Sequence, residues 1–116
     1  MSATYSTQYG EVNISDDVLA TISGLAATEC YGLVGMASKN AKDGLVELLK
    51  RENLAKGVRV TTEGEQINID LYIVVEFGTK ISTVADNIIS KVKYTVENLT
   101  GLKVRKVNIN VQGVRV

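Results

Sequence analysis

Asp, Glu, Lys and Tyr are the main residue types this chain offers for acid–base chemistry. Its 116 residues include no His and only one Cys, Cys30. A His general base, a Ser–His or Cys–His nucleophile pair and a His/Cys metal site are therefore excluded by composition. The remaining candidates have structural explanations close at hand. Asp16 and Asp17 are adjacent, which on a helix turns their carboxylates about 100° apart. They suit the positive end of a helix dipole better than a paired acid–base site. Asp70 sits where a strand should leave a turn, a position that normally faces solvent. Cys30 ends an apolar helical face in an acidic third of the chain with no cation of its own to activate a thiolate. Gly32-Leu33-Val34-Gly35 has the spacing of a backbone-clamping GxxG loop, yet its central residues are apolar rather than basic. No phosphate-cradling glycine loop is present. No cofactor or metal is expected.

The charges are better ordered than the catalytic types. Formal net charge is zero, but residues 1–37 carry Glu11, Asp16, Asp17 and Glu29 with no Lys or Arg, a net of −4. Residues 78–116 carry seven basic and two acidic residues, a net of +5. Lys91, Lys93, Lys103, Arg105 and Lys106 form the candidate interaction surface. Such polarity can stack molecules head to tail or meet an anionic partner. It can equally pair an acidic helix with a basic strand inside one monomer.

Periodicity supplies the elements that would carry these groups. Gly10–Ile14 alternates as a short strand, and Ser15 caps a helix running to about Cys30, with Val18, Leu19, Ile22, Leu25 and Ala26 as its apolar face. Leu33–Met36 is a brief apolar stretch. Ala41–Leu54 has a helical pattern ended by Gly57. Val58 and Val60 begin a strand, Glu63-Gly64-Glu65 is a hairpin turn, and Ile67, Ile69, Leu71, Ile73, Val75 and Phe77 share one face of the next strand. That strand becomes apolar on both faces around Tyr72 and Val74, as a central strand would. Thr79 or Ser82 caps a long helix with Ile81, Val84, Ala85, Ile88, Val92, Val96 and Leu99 in one stripe, stopped by Gly101. Leu102–Val116 is a strand whose apolar phase changes twice, which requires β-bulges near Arg105-Lys106 and at Gln112-Gly113.

The order β-α-(α)-β-β-α-β predicts an α+β, two-layer domain: a small mixed sheet of about four strands with two to three helices. Residues 1–8, polar and rich in Ser and Thr, are expected as a flexible tail, and 9–116 as a single domain. No apolar run is long enough to cross a bilayer and no signal-peptide pattern opens the chain, so a cytoplasmic location is expected.

Gly10-Glu11-Val12-Asn13-Ile14-Ser15, Tyr31-Gly32-Leu33-Val34-Gly35-Met36, Val75-Glu76-Phe77-Gly78, Leu99-Thr100-Gly101-Leu102 and Val107-Asn108-Ile109-Asn110-Val111, in this order and spacing, resemble the alkaline-shock-protein family of Gram-positive bacteria. The resemblance covers nearly all of residues 9–116. It implies a small cytoplasmic α+β protein linked to cell-envelope stress homeostasis, with no catalytic residues to carry over. Some members are held at the membrane by a separate membrane-anchored partner. The expectation is therefore a non-enzymatic interaction or scaffold protein that forms homo-oligomers and docks to protein partners. The rival is a nucleic-acid or regulatory-ligand module using the basic C-terminal surface. Nucleic acid is the less favoured partner, because the charge excess is small and Tyr94 is the only ring beside it.

Overall fold

The computed structural model describes residues 2–38 and 48–116. Six strands and two α-helices occur among them: β1 (Ser2–Thr7), β2 (Gly10–Ser15), α1 (Asp16–Thr28), β3 (Leu33–Met36), β4 (Val58–Glu63), β5 (Gln66–Glu76), α2 (Ile81–Thr100) and β6 (Lys103–Arg115). The α+β, two-layer reading holds.

β5 is the centre of a four-stranded mixed sheet. Its first half pairs antiparallel with β4 through a two-residue turn, where Gly64 takes a left-handed φ of 63°. Its second half pairs antiparallel with β3. Its whole length pairs in parallel with β6, a crossover that α2 makes possible. Ile67, Ile69, Leu71, Ile73 and Val75 are buried under the helices against Val84, Ile88, Val92 and Val96 of α2. Val74 is buried on the opposite face, so the strand is covered on both sides at that end.

Both phase changes in β6 are real. The register advances from Val104 to Lys106 and from Val111 to Gly113 while β5 advances one residue each time, leaving Arg105 and Gln112 as the extra residues. Ser15 caps α1, its Oγ accepting the Val18 N–H at 3.3 Å. Gly101 ends α2 with φ 79°. Gly32 turns the chain with φ 87°, and a Cβ there would lie 2.6 Å from Val84 Cγ2.

Five expectations need correction. Residues 2–7, read as loose tail, form a strand paired with β2, and Ala3 is fully buried. Ala3 and Tyr5 alternate with Thr4 and Ser6, and that weak alternation suffices because β2 supplies the partner.

The helix expected over 41–54 lies partly outside the described residues. Its described part is not α-helical. Leu48 bridges Ala37, the Leu49 amide bonds the Met36 carbonyl at 2.8 Å, and a 3-10 helix follows over Arg51–Gly57.

α1 buries Leu19 and Ala26 and packs Ile22 and Leu25 on the core as expected, but the buried face is shifted away from Val18. Leu19, Ala20, Ser23, Gly24, Ala26 and Ala27 go inward, while Val18 is 48% exposed. Close packing decides this: a Cβ on Gly24 would stand 3.0 Å from Leu54 Cβ, and the Ser23 hydroxyl donates to the Leu19 carbonyl at 2.7 Å.

Neither Thr79 nor Ser82 is the N-cap of α2. Lys80 occupies that position and provides no side-chain cap, while the Thr79 hydroxyl donates back to the Glu76 carbonyl at 2.6 Å.

Finally, the ends of two apolar stripes overrun the core. Phe77 is 72% exposed, Leu99 is 69% exposed, and Ile81 is exposed as well.

Candidate interaction surface

β6 is the element on which most of the chemistry converges. It pairs with β5 along one side, and among the described residues no strand pairs with its other side. Strand alternation sorts its side chains. Val107, Ile109 and Val111 stand opposite Ile69, Leu71 and Ile73 on the helix-covered face, while Lys106, Asn108 and Asn110 stand opposite Asn68, Asp70 and Tyr72 on the open face. Val107 is buried, but Ile109 and Val111 are only half-buried and Val114 is 45% exposed, because α2 covers an edge strand incompletely.

The open face is polar and internally bonded. Asn108 Nδ2 donates to Asp70 Oδ1 at 2.7 Å, and Asn110 Nδ2 donates to the Leu71 carbonyl at 3.3 Å. Asp70 is therefore half-buried and partnered rather than freely solvated. At the start of the strand, the Glu97 carboxylate accepts the Val104 N–H at 3.0 Å. That contact holds α2 to the edge strand and had no signal in the sequence.

The five basic candidates are distributed rather than gathered. Lys91 Nζ lies 3.5 Å from Oε2 of Glu29, the C-cap residue of α1, so part of the charge polarity is closed within the monomer. Arg105, the bulge residue, reaches across to Glu63 at the end of β4, with Nη1–Oε2 at 3.0 Å. Both pairs are exposed and contribute little individually. Lys93 is exposed on α2, and Lys103 and Lys106 are exposed on β6. The structure thus brings Lys103, Arg105 and Lys106 to one strand end and directs Lys91 toward the other helix.

Cys30 is near a cation after all. Lys91 lowers its pKa, but burial pushes the thiol up by more and Glu29 adds to the rise, so the thiol stays protonated above its ordinary range. Its Sγ lies 3.8 Å from the Ala26 carbonyl and 3.9 Å from the Asn87 carbonyl. The Gly32–Gly35 segment enters β3, so it is a packed turn between helix and strand and not a loop joining two helices. No cluster of three or more His, Cys, Asp or Glu that could hold a metal occurs among the described residues.

The concavities are shallow. One of about 430 Å³ lies beneath the β1–β2 hairpin, lined by Tyr5, Glu65, Gln66, Gly101, Leu102 and Lys103. Another of about 210 Å³ lies at the far end of β6, lined by Leu48, Val74, Gly113, Val114 and Arg115. Neither has the enclosed apolar lining with convergent polar groups of a small-molecule site. Exposed side chains say more. Tyr9 at the hairpin tip is 92% exposed, and Tyr31, Phe77, Tyr94 and Leu99 are also open to solvent. No helix among the described residues is long and apolar enough to cross a membrane.

The chain is 59% identical over 117 residues to the uncharacterized protein YloU of Bacillus subtilis, covering 100% of this chain and 98% of that protein. It is 36% identical to YqhY of the same organism, over 94% of this chain and 80% of that protein. A Streptococcus pyogenes protein named as a homolog of the stress response regulator gls24 is 34% identical, over 91% of this chain but 59% of its own length. No solved structure matches the chain. A family model described as cell envelope-related in function matches residues 4–116, and the chain belongs to that family, the alkaline shock protein 23 family.

Proposed function

We propose that this protein is a non-enzymatic interaction module of cell-envelope stress homeostasis, acting through self-association and protein partners. The observation that carries the reading is β6: a 13-residue strand whose outer side pairs with no strand among the described residues, with half-buried Ile109 and Val111 beside it. A long strand edge can pair with another chain, and the Lys and Arg residues and the two bulges that restrain such pairing lie toward the ends of β6, leaving 107–111 regular between them. The family's envelope-related description and the stress-regulator name borne by one relative support the cellular setting. The proposed location is cytoplasmic, with any attachment to the envelope supplied by a membrane-anchored protein partner.

The test is sedimentation velocity across protein concentration and salt. The expected result is a species larger than a monomer at low salt that shifts toward monomer as salt rises, since charge attraction at exposed surfaces is screened over about 10 Å at 0.1 M. A monomer at every salt and at tens of micromolar protein would remove self-association and leave recruitment by a different partner.

A further inference from the structure

We propose that the partner on the free side of β6 is the β1–β2 hairpin of a second copy, added edge to edge through β2 as an extension of the sheet. This rests on the self-association reading and names its surface. Among the described residues β3, β4 and β6 each pair only with β5, and β1 and β2 only with each other, so several strand edges are open. Of these strands β6 is the longest and carries only positive charge, and β2 is the one whose only charge, Glu11, is negative. The hairpin tip, Thr7 to Glu11, is exposed throughout, and the molecule is elongated, with principal extents of 52 × 27 × 21 Å.

The two edges match in alternation and in charge. Glu11-Val12-Asn13-Ile14 of β2 puts a carboxylate and an amide on one face and two aliphatics on the other. Lys106, Asn108 and Asn110 of β6 put an ammonium and two amides on one face, with Ile109 and Val111 on the other. Laid side by side, Glu11 and Asn13 meet Lys106 and the asparagine amides, while Val12 and Ile14 extend the strip begun by Ile109 and Val111. Residues 1–37 contain no basic residue, and residues 102–116 contain no acidic one. Pairing β6 with β6 of a second copy would instead bring Lys103, Arg105 and Lys106 toward the other strand's Arg115, and like charges set opposite one another are unfavourable. The hairpin-to-edge contact is heterologous, so a joined pair still has one hairpin free on one copy and one edge free on the other, and the assembly can propagate.

The experiment uses two half-blocked full-length proteins. Glu11→Lys with Val12→Lys disables the hairpin; Val12 is half-exposed and lies outside the packed core. Lys106→Glu with Val114→Lys disables the edge at two exposed positions. Circular dichroism and thermal melts establish that both fold. In sedimentation velocity each alone should be monomeric where the unaltered protein assembles, and an equimolar mixture should form a dimer that grows no further. Glu11→Lys alone should weaken assembly by about tenfold, as expected when an attractive surface pair becomes repulsive. If the unaltered protein assembles but either blocked protein still does, or the mixture stays monomeric, this interface is wrong while self-association survives. If the unaltered protein never assembles, both fail.

Discussion

Cys30 shows how one residue's chemistry depends on a partner 61 positions away. Its own third of the chain supplies only acids, so the sequence gives no cation to lower the thiol's pKa. The fold then brings Lys91 alongside, held by Glu29. Even so, burial dominates and the thiol is pushed up. A thiolate is the reactive species, so Cys30 in the folded protein should react with iodoacetamide at pH 8 more slowly than in the unfolded chain. Lys91→Met should slow it further by removing the only group that opposes the rise. Faster alkylation in the variant, followed by mass spectrometry, would show that access rather than ionisation controls the rate. The folded thiol holds its proton more tightly than the unfolded one. Its contribution to stability is therefore complete below the unfolded thiol's pKa and is lost as pH rises through the folded value, a window above about pH 8.5.

At the scale of elements, burial at stripe ends separates positions that periodicity treats as equal. Ile73 on β5 and Ile88 on α2 are fully buried in the same core. Truncating either to Ala should cost about 2–5 kcal/mol in chemical denaturation, through lost burial and the cavity left behind. Phe77→Ala and Leu99→Ala, on the same stripes but exposed, should cost less than about 0.5 kcal/mol. The hairpin gives a third measurement. Deleting residues 1–8 should lower stability by about 2 kcal/mol, because Ala3 is fully buried and Tyr5 packs on the core near Gly101. A deletion with no cost would restore the loose tail. Much of the fold was legible where apolar residues repeat strongly, as in β5, α2 and the two bulges of β6. In α1 the helix and its Ser15 cap were legible, but the inward placement of Ser23 and Gly24 was not, because close packing against Leu54 selects small side chains there. Nor was β1 legible, whose only apolar residues before its turn are an alanine and a tyrosine. Of the candidate surface, the basic residues could be named, but their pairing with Glu29 and Glu63 depends on tertiary neighbours that no spacing reveals.

For the whole molecule, zero net charge removes long-range self-repulsion while leaving opposed charges at the two ends of the chain. That is a poor design for holding a polyanion. Of the five basic candidates, Lys91 and Arg105 already have carboxylate partners, and the face beside Lys106 is occupied by Asn108 bonded to Asp70. Tyr72 is the only aromatic side chain in the part of β5 that faces the open layer, whereas sheets that bind single strands stack several bases on aromatic rings. Counterion release needs many unpaired cations in register with phosphates, and of the five candidates only Lys93, Lys103 and Lys106, on two different elements, are outside the ion pairs Lys91–Glu29 and Arg105–Glu63. Fluorescence anisotropy with single-stranded RNA and duplex DNA should therefore give no binding tighter than about 10 μM at physiological salt, at the weak side of what non-specific binders reach. Tight binding that falls steeply with salt, and is lost in Arg105→Glu with Lys106→Glu, would overturn this and make the basic strand end a nucleic-acid site. Retention of tight binding in that double variant would place the site elsewhere on the molecule and equally refute the charge argument.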